Sequence, residues 1–458
     1  PYQTSDRGPA IAVGDLNNDG KEDIYFGGSK FNPSKVFLQT DSIYREKNIQ
    51  TIANDSITED VVALIADLNN DQKNDVIIGT GGADFYNKMT PLLDTYYTQS
   101  SVGFEKQALP AYFENAAVIK AADYDNDGDL DVFVGNNTVS NNFGAMPNSY
   151  ILKNENGKFS ILENQSFQNT GMITDAIWED YNTDGFVDLI LVGEWMTPKF
   201  FKNTRGNFTE EKLIDATLTG LWQQIAAFDI DKDGDVDYLL GNWGKNSKFN
   251  ASQEYPLRMY YADFDGNGST ETILCNYKNG AYYPLLGLDE LASQIVSLRK
   301  KFTSYKSFAG KSIDEIFEKS VLKKARILEV HTLASGYLKN ENNTFTFIPF
   351  KNELQVSPIS AFLEYDFNAD GDNEVLVAGN YFGVSPYQGR FDSFPGALIF
   401  NEDKVVLGNK IGLDFNQKAV KKLNIIKVQN KSYVLATINN DHAQVYELTH
   451  LKDDYKKL

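Results

Sequence analysis

A chain of 458 residues with a formal net charge of −20 is a poor partner for nucleic acid or an anionic membrane, which excludes both as its main target. At 42% hydrophobic and 13% aromatic, it can fill a large core and is not a disordered acidic tail. One cysteine, Cys275, excludes an internal disulfide framework and cysteine-based zinc, and His331, His442 and His450 supply little for histidine metal sites or acid–base catalysis.

In chain order, the first recurring element is GDLNNDGKEDIYFGG (14–28). It returns as ADLNNDQKNDVIIGT (66–80), AADYDNDGDLDVFVGNN (121–137), EDYNTDGFVDLILVG (179–193), FDIDKDGDVDYLLGN (228–242), ADFDGNGSTETILCN (262–276) and YDFNADGDNEVLVAG (365–379). The template is D-x-[DN]-x-[DN]-G-x-x-[DE], followed by an apolar run and usually a glycine. So many carboxylates at such spacing repel one another by several kcal/mol unless a cation sits among them. Oxygens at positions 1, 3, 5 and 9, with the carbonyl at position 7, converge on one hard cation of calcium type, and glycine at position 6 permits the sharp turn. Magnesium fits less well because it demands a strict octahedron and keeps its waters.

The seven expected cages are as follows. Asp15, Asn17, Asp19 and Asp23 act with the carbonyl of Lys21; Asp67, Asn69, Asp71 and Asp75 with that of Lys73; Asp123, Asp125, Asp127 and Asp131 with that of Asp129. Asp180, Asn182, Asp184 and Asp188 act with the carbonyl of Phe186, and Asp229, Asp231, Asp233 and Asp237 with that of Asp235. Asp263, Asp265, Asn267 and Glu271 act with that of Ser269, and Asp366, Asn368, Asp370 and Glu374 with that of Asp372. Seven Ca²⁺ ions would offset most of the surplus negative charge. The second loop has Gln72 where glycine is expected, and the sixth and seventh end in glutamate; these three are the weakest expected sites.

An EF-hand shares the opening of this pattern but needs a glutamate at position 12 and flanking helices. Position 12 here is Phe26, Ile78, Val134, Leu191, Leu240, Leu274 and Val377, and the flanks are strand-like. Asp, Asn and Gly also favour turns with no metal at all, but seven copies of one nine-residue template argue against that alternative.

Between the loops run shorter hairpin signals: SKVFLQTDSIYR (34–45), NSYILKNENGKFSIL (148–162), PKFFKNTRGNFTEE (198–211), ASGYLKNENNTFTFIPF (334–350) and GALIFNEDKVVLG (396–408). Strand, acidic loop, strand and outer hairpin make a four-stranded unit of about fifty residues, so the fold expected is an all-β β-propeller. Seven blades are expected, with eight as the rival. The calcium-loop blades span 8–410, and calcium-free strands at 423–450 form a closing element or an extra blade. The sixth loop, close behind the fifth, is assignable to an outer hairpin of the fifth blade. A helical insertion at about 285–325 is expected from LDELASQIVSLRKKF (288–302) and SIDEIFEKSVLKKA (312–325), the latter opening on a Ser312–Glu315 capping box.

With these motifs in view, the chain resembles the FG-GAP/VCBS repeat proteins, relatives of the calcium-binding propeller of integrin α subunits, over residues 8–450. It is similar in particular to the carboxy-terminal propeller of bacterial surface proteins that carry an ASPIC/UnbV module upstream. The stretches in question are RGPAIAVGDLNNDGKED (7–23), TGMITDAIWEDYNTDGFVDLILVGEWM (170–196), GLDELASQIVSLRKKF (287–302) and GNYFGVSPYQGRFDS (379–393). The resemblance implies an extracellular setting, at the outer-membrane surface or secreted, and a native polypeptide that continues before Pro1.

The acidic loops and outer-hairpin turns of a meander share one face, and the longer, aromatic connections share the other. That second face is the expected docking surface, with Trp195, Trp243, Tyr381, Phe382, Tyr387 and Arg390 as contacts. The expected partner is a protein of a surface complex, with a glycan as the alternative. No G-x-S-x-G, H-E-x-x-H or Cys–His constellation is present, so the expectation is a non-catalytic scaffold, with a polysaccharide-active hydrolase or lyase the remoter reading.

Overall fold

Each acidic repeat lies between two antiparallel strands. The computed structural model describes residues 7–449 apart from 83, 84, 87, 102, 163, 164, 386 and 387. The first loop joins Ile11–Gly14 to Asp23–Phe26, and the third joins Asn115–Ala122 to Asp131–Thr138. In the second of these strands every residue is buried, because it lies in the interior of a sheet that is itself sandwiched between neighbours. Such two-sided burial explains the continuous apolar runs after each loop.

Among the described residues, eight antiparallel sheets result. Six carry four strands in a ring series: residues 11–47, 60–107, 115–161, 172–211, 224–349 and 359–407. A short strand, Gly220–Leu221, adds to the fourth. The seventh ring sheet has three described strands, Val420–Val428, Lys431–Ile438 and Gln444–Glu447. The first strands pack in sequence, each on the next, and Val420–Val428 returns to Ile11–Gly14. Ile11, Ile24, Ile426 and Leu435 form the apolar seam of that closure. Seven sheets thus follow one another around a closed circuit, the last of them without an acidic loop.

The eighth sheet is not in the circuit. Strands Leu257–Ala262, Glu271–Lys278, Ala281–Pro284 and Arg326–Val330 form it, in the spatial order third, second, first, fourth. It is spliced, with five short helices between 288 and 322, into the fifth sheet between Asp237–Gly241 and Gly336–Glu341. The sixth acidic loop therefore belongs to an inserted module and not to an outer hairpin of the fifth blade. The module has its own core, in which Cys275, Leu291, Ile295, Phe302 and Ile316 are buried. The expected capping box is present: the Ser312 N–H donates to Glu315 Oε2 at 2.9 Å. No described helix is long and apolar enough to cross a membrane.

The inserted sheet packs on the ring through Trp243, Phe249, Leu257, Met259, Leu274 and Val330, in one cluster with Trp195, Tyr381 and Phe391. Trp243 is 2% exposed and meets the rings of Phe249, Tyr381 and Phe391 at 5.4–5.9 Å. Truncating such a side chain costs about 3–5 kcal/mol. Trp243→Ala is therefore expected to lower the denaturation midpoint and to speed amide exchange across residues 257–330 before the rest of the ring. Uniform exchange would show that this cluster does not hold the module.

Candidate metal centres

All seven loops adopt one backbone. Position 1 accepts two backbone N–H bonds, from positions 5 and 6. In the third loop Asp127 N and Gly128 N donate to the two oxygens of Asp123, both at 3.0 Å. The same pair appears on Asp15, Asp67, Asp180, Asp229, Asp263 and Asp366. Position 6 has positive φ throughout, which glycine adopts freely. Gln72 takes φ 67 there, and its N–H still reaches Asp67 Oδ2 at 2.8 Å, so the second loop folds like the others. Position 4 is left-handed as well, at Asn18, Asn70, Asn126, Thr183, Lys232, Gly266 and Ala369, a regularity the template did not reveal.

Position 9 begins the next strand and is buried: Asp23, Asp75, Asp131, Asp188 and Asp237 are fully so, Glu374 is 2% exposed and Glu271 8%. Its carboxylate joins parts of the sheet. Asp23 accepts from Leu16 N at 2.9 Å and from Gln39 N, on the third strand, at 2.8 Å. Gln99, Asn154, Asn203 and Asn340 play the part of Gln39 towards Asp75, Asp131, Asp188 and Asp237. The glutamates of the sixth and seventh loops keep the bond to position 2, from Phe264 N and Phe367 N, each at 3.0 Å.

The donor sets fit a hard cation. Oxygens of Asp123, Asp125 and Asp127 lie within 4.8 Å of one another, as do those of Asp229, Asp231 and Asp237, and of Asp263, Asp265 and Glu271. The Oδ1 atoms of Asp125, Asn182 and Asp265 are shielded from solvent and have no hydrogen-bond partner, as expected of oxygens shaped to hold an ion. A cation already stands in. Lys153 Nζ lies 2.6 Å from Asp125 Oδ2 and 3.6 Å from Asp127 Oδ2; Lys339 lies 2.7 Å from Asp231 and Lys202 3.3 Å from Asp184. These lysines precede the buried asparagines in the L-K-N, F-K-N and L-K-N segments at 152–154, 201–203 and 338–340. The repeated K-N pair was the sequence signal that could have revealed both roles.

Burial pushes the metal-free carboxyls at position 9 upward, Asp75 and Asp237 to about 6 and Asp131, Asp188 and Glu374 to about 7. A carboxyl whose pKa rises on folding favours the fold when protonated. The metal-free protein therefore gains stability as pH falls from about 7 towards the unfolded value of about 4. Chelated protein is expected to melt several degrees higher at pH 5 than at pH 8. The metal-loaded protein is expected to show the reverse, because protons compete with the ion. Parallel pH profiles would refute the prediction.

The expected docking residues fare differently. Trp195, Trp243 and Tyr381 are 4%, 2% and 8% exposed and hold the inserted sheet to the ring, so they are not surface contacts. The chain's own insertion covers the part of the face on which these three sit. Arg390 is exposed and its guanidinium lies 4.0 Å over the half-buried Phe382 ring; Tyr387 lies outside the described residues. His331 Nδ1 is 2.8 Å from Thr219 Oγ1.

A circuit of antiparallel, mostly four-stranded sheets with an acidic loop in the first hairpin of each of six defines the protein as a β-propeller. The FG-GAP-like repeat family matches residues 67–134, 123–191 and 180–240, so the second to fifth acidic loops of the propeller lie in FG-GAP-like repeats. Among solved structures it is similar to the V. cholerae biofilm matrix protein Bap1 (12% identity, TM-score 0.43, 97% of this chain and 88% of that one). It is also similar to BBS1N in complex with ARL6DN (10% identity, TM-score 0.40, 98% and 93%). No curated protein matches the chain.

Proposed function

We propose that the protein is a calcium-stabilised extracellular propeller acting as a non-catalytic binding or scaffold module of a bacterial surface or secreted complex, with a protein as its partner. One observation carries this reading. Every group of three acidic side chains close enough to share an ion, among the described residues, belongs to the repeated loops. The acidic clusters are thereby accounted for by bracing of the sheets, with no acid–base pair left over in them. Calcium is the ion of choice because the donors are all oxygens and a calcium shell tolerates an irregular set of them.

The test combines affinity capture from cell-envelope extracts in calcium with an activity screen on polysaccharide and ester substrates. Stoichiometric retention of a defined protein, lost in EGTA, supports the proposal. Turnover that vanishes on changing one residue outside the loops would replace it with an enzyme.

A further inference from the structure

On the face away from the acidic loops, residues 27–34, 81–94 and 139–149 connect the second and third strands of the first three sheets. Phe31 and Tyr86 project there with 71% and 70% exposure, the highest of the large apolar side chains described. Phe31 has φ 66. A left-handed backbone costs a bulky residue about 1 kcal/mol or more, so the ring is held in water against both strain and hydrophobicity. Lys30 Nζ lies over the rings of Phe31 and Phe85, at 5.6 and 5.1 Å, and ties the two loops together. The Phe85 carbonyl in turn accepts from Asn141 Nδ2 at 3.3 Å.

Beside Asn141 opens a cleft of about 260 Å³ between the third sheet and the inserted module. Its polar walls are Asn115, Ser140 and Asn142 on one side and Thr270, Thr272 and Gln294 on the other. Asn115 is 7% exposed; its Nδ2 donates to Thr138 O at 2.9 Å and Ser140 Oγ at 3.1 Å, while its Oδ1 has no partner. Among the described residues the one charged lining residue is Glu271, which belongs to the sixth acidic loop, and no cation lines the cleft.

We infer that this surface binds a neutral polysaccharide, one sugar residue seated in the cleft and its neighbours stacked on Tyr86 and Phe31. The inference rests on the reading of the propeller as a binding module and adds a second ligand, on a surface of its own, beside the protein partner. Amides and hydroxyls without a cation suit a ligand rich in hydroxyls and poor in charge. The cleft falls below the size of a drug-like pocket and matches about one ring. Exposed rings offer the apolar faces on which sugar C–H faces pack. The chain stays net negative even with seven Ca²⁺ ions bound, which disfavours acidic polysaccharides.

The test is affinity electrophoresis of the full chain in calcium, through gels holding a neutral β-glucan, galactan or mannan, with alginate as the acidic control. At least one neutral polymer is expected to retard the protein. Phe31→Ala/Tyr86→Ala is expected to weaken retardation about tenfold, and Gln294→Ala about threefold, with melting and the response to chelator unchanged. No retardation by any neutral polymer, retardation by alginate alone, or retardation indifferent to the double variant overturns the inference. So does a protein partner whose capture fails with the double variant while no sugar binds. An intact chelator response in those cases leaves the calcium-braced module standing; a lost one removes that reading instead.

Discussion

Excess EGTA is expected to lower the melting temperature by about 15–20 °C. Ligand bound only to the folded state contributes RT ln(1 + [L]/Kd), about 2.7 kcal/mol per site at a hundred times Kd. Unfolding entropy is about 2.1 cal/mol/K per residue, so for a chain of this length 1 kcal/mol moves the midpoint by about 1 °C. Seven loops of one geometry then sum to the stated range. Bracing is the reason for a large effect: each cage joins two strands, and its position 9 residue also bonds the third strand in five of the sheets. Asp127, exposed at position 5, accepts from Asp129 N at 3.0 Å within its own loop, and its Oδ2 lies 3.6 Å from Lys153 Nζ. Asp127→Ala is therefore expected to remove one ion equivalent by calorimetry and about 3 °C from the midpoint. An unchanged melt in EGTA would mean that Lys153, Lys202 and Lys339 suffice as counter-charges and that the loops need no metal.

What sequence revealed and what it hid divide along one line. Repetition exposed the loops, because seven copies share spacing that only a common geometry requires. It exposed the sheets too, since position 12 is apolar in every copy and buried in all but Phe26, which is partly so. The destination of the inserted module was not legible. LDELASQIVSLRKKF shows helical periodicity, yet nothing in it says that its sheet will fold over the ring and bury Trp195, Trp243 and Tyr381. Aromatic residues in long connections look alike whether they wait for a partner or for another part of the same chain. Phe31 was legible to neither argument: a phenylalanine in FGGSKFNPSK reads as core until its backbone angle and exposure are known. The third-strand asparagines were overlooked because each lies two residues before a turn, where asparagine needs no further explanation.

Those asparagines carry the other large effect. Asn154 is fully buried, and its Nδ2 donates to Leu130 O at 2.9 Å within its sheet and to Leu68 O at 2.7 Å in the sheet before it. Its Oδ1 accepts from Gly157 N at 2.7 Å. Asn154→Ala strands two carbonyls and one N–H, each costing about 1–3 kcal/mol when buried, so a loss near 4 kcal/mol and about 4 °C is expected. Leu68 is position 2 of the second loop, and its N–H donates to the cage residue Asp75 at 3.3 Å. The substitution in the third sheet should therefore weaken metal binding in the second. Asn203 and Gln99 make the matching links, to Tyr124 O at 2.7 Å and Leu16 O at 2.9 Å, each one sheet back. Asn340 is the internal control, for its amide donates to Val236 O in its own sheet, at 3.2 Å. Asn340→Ala should cost stability without touching a neighbour's ion, whereas Asn154→Ala should slacken the cage next door. Equal calorimetric ion counts and affinities in the two variants would show that the cages act singly, with no coupling passed from sheet to sheet around the ring.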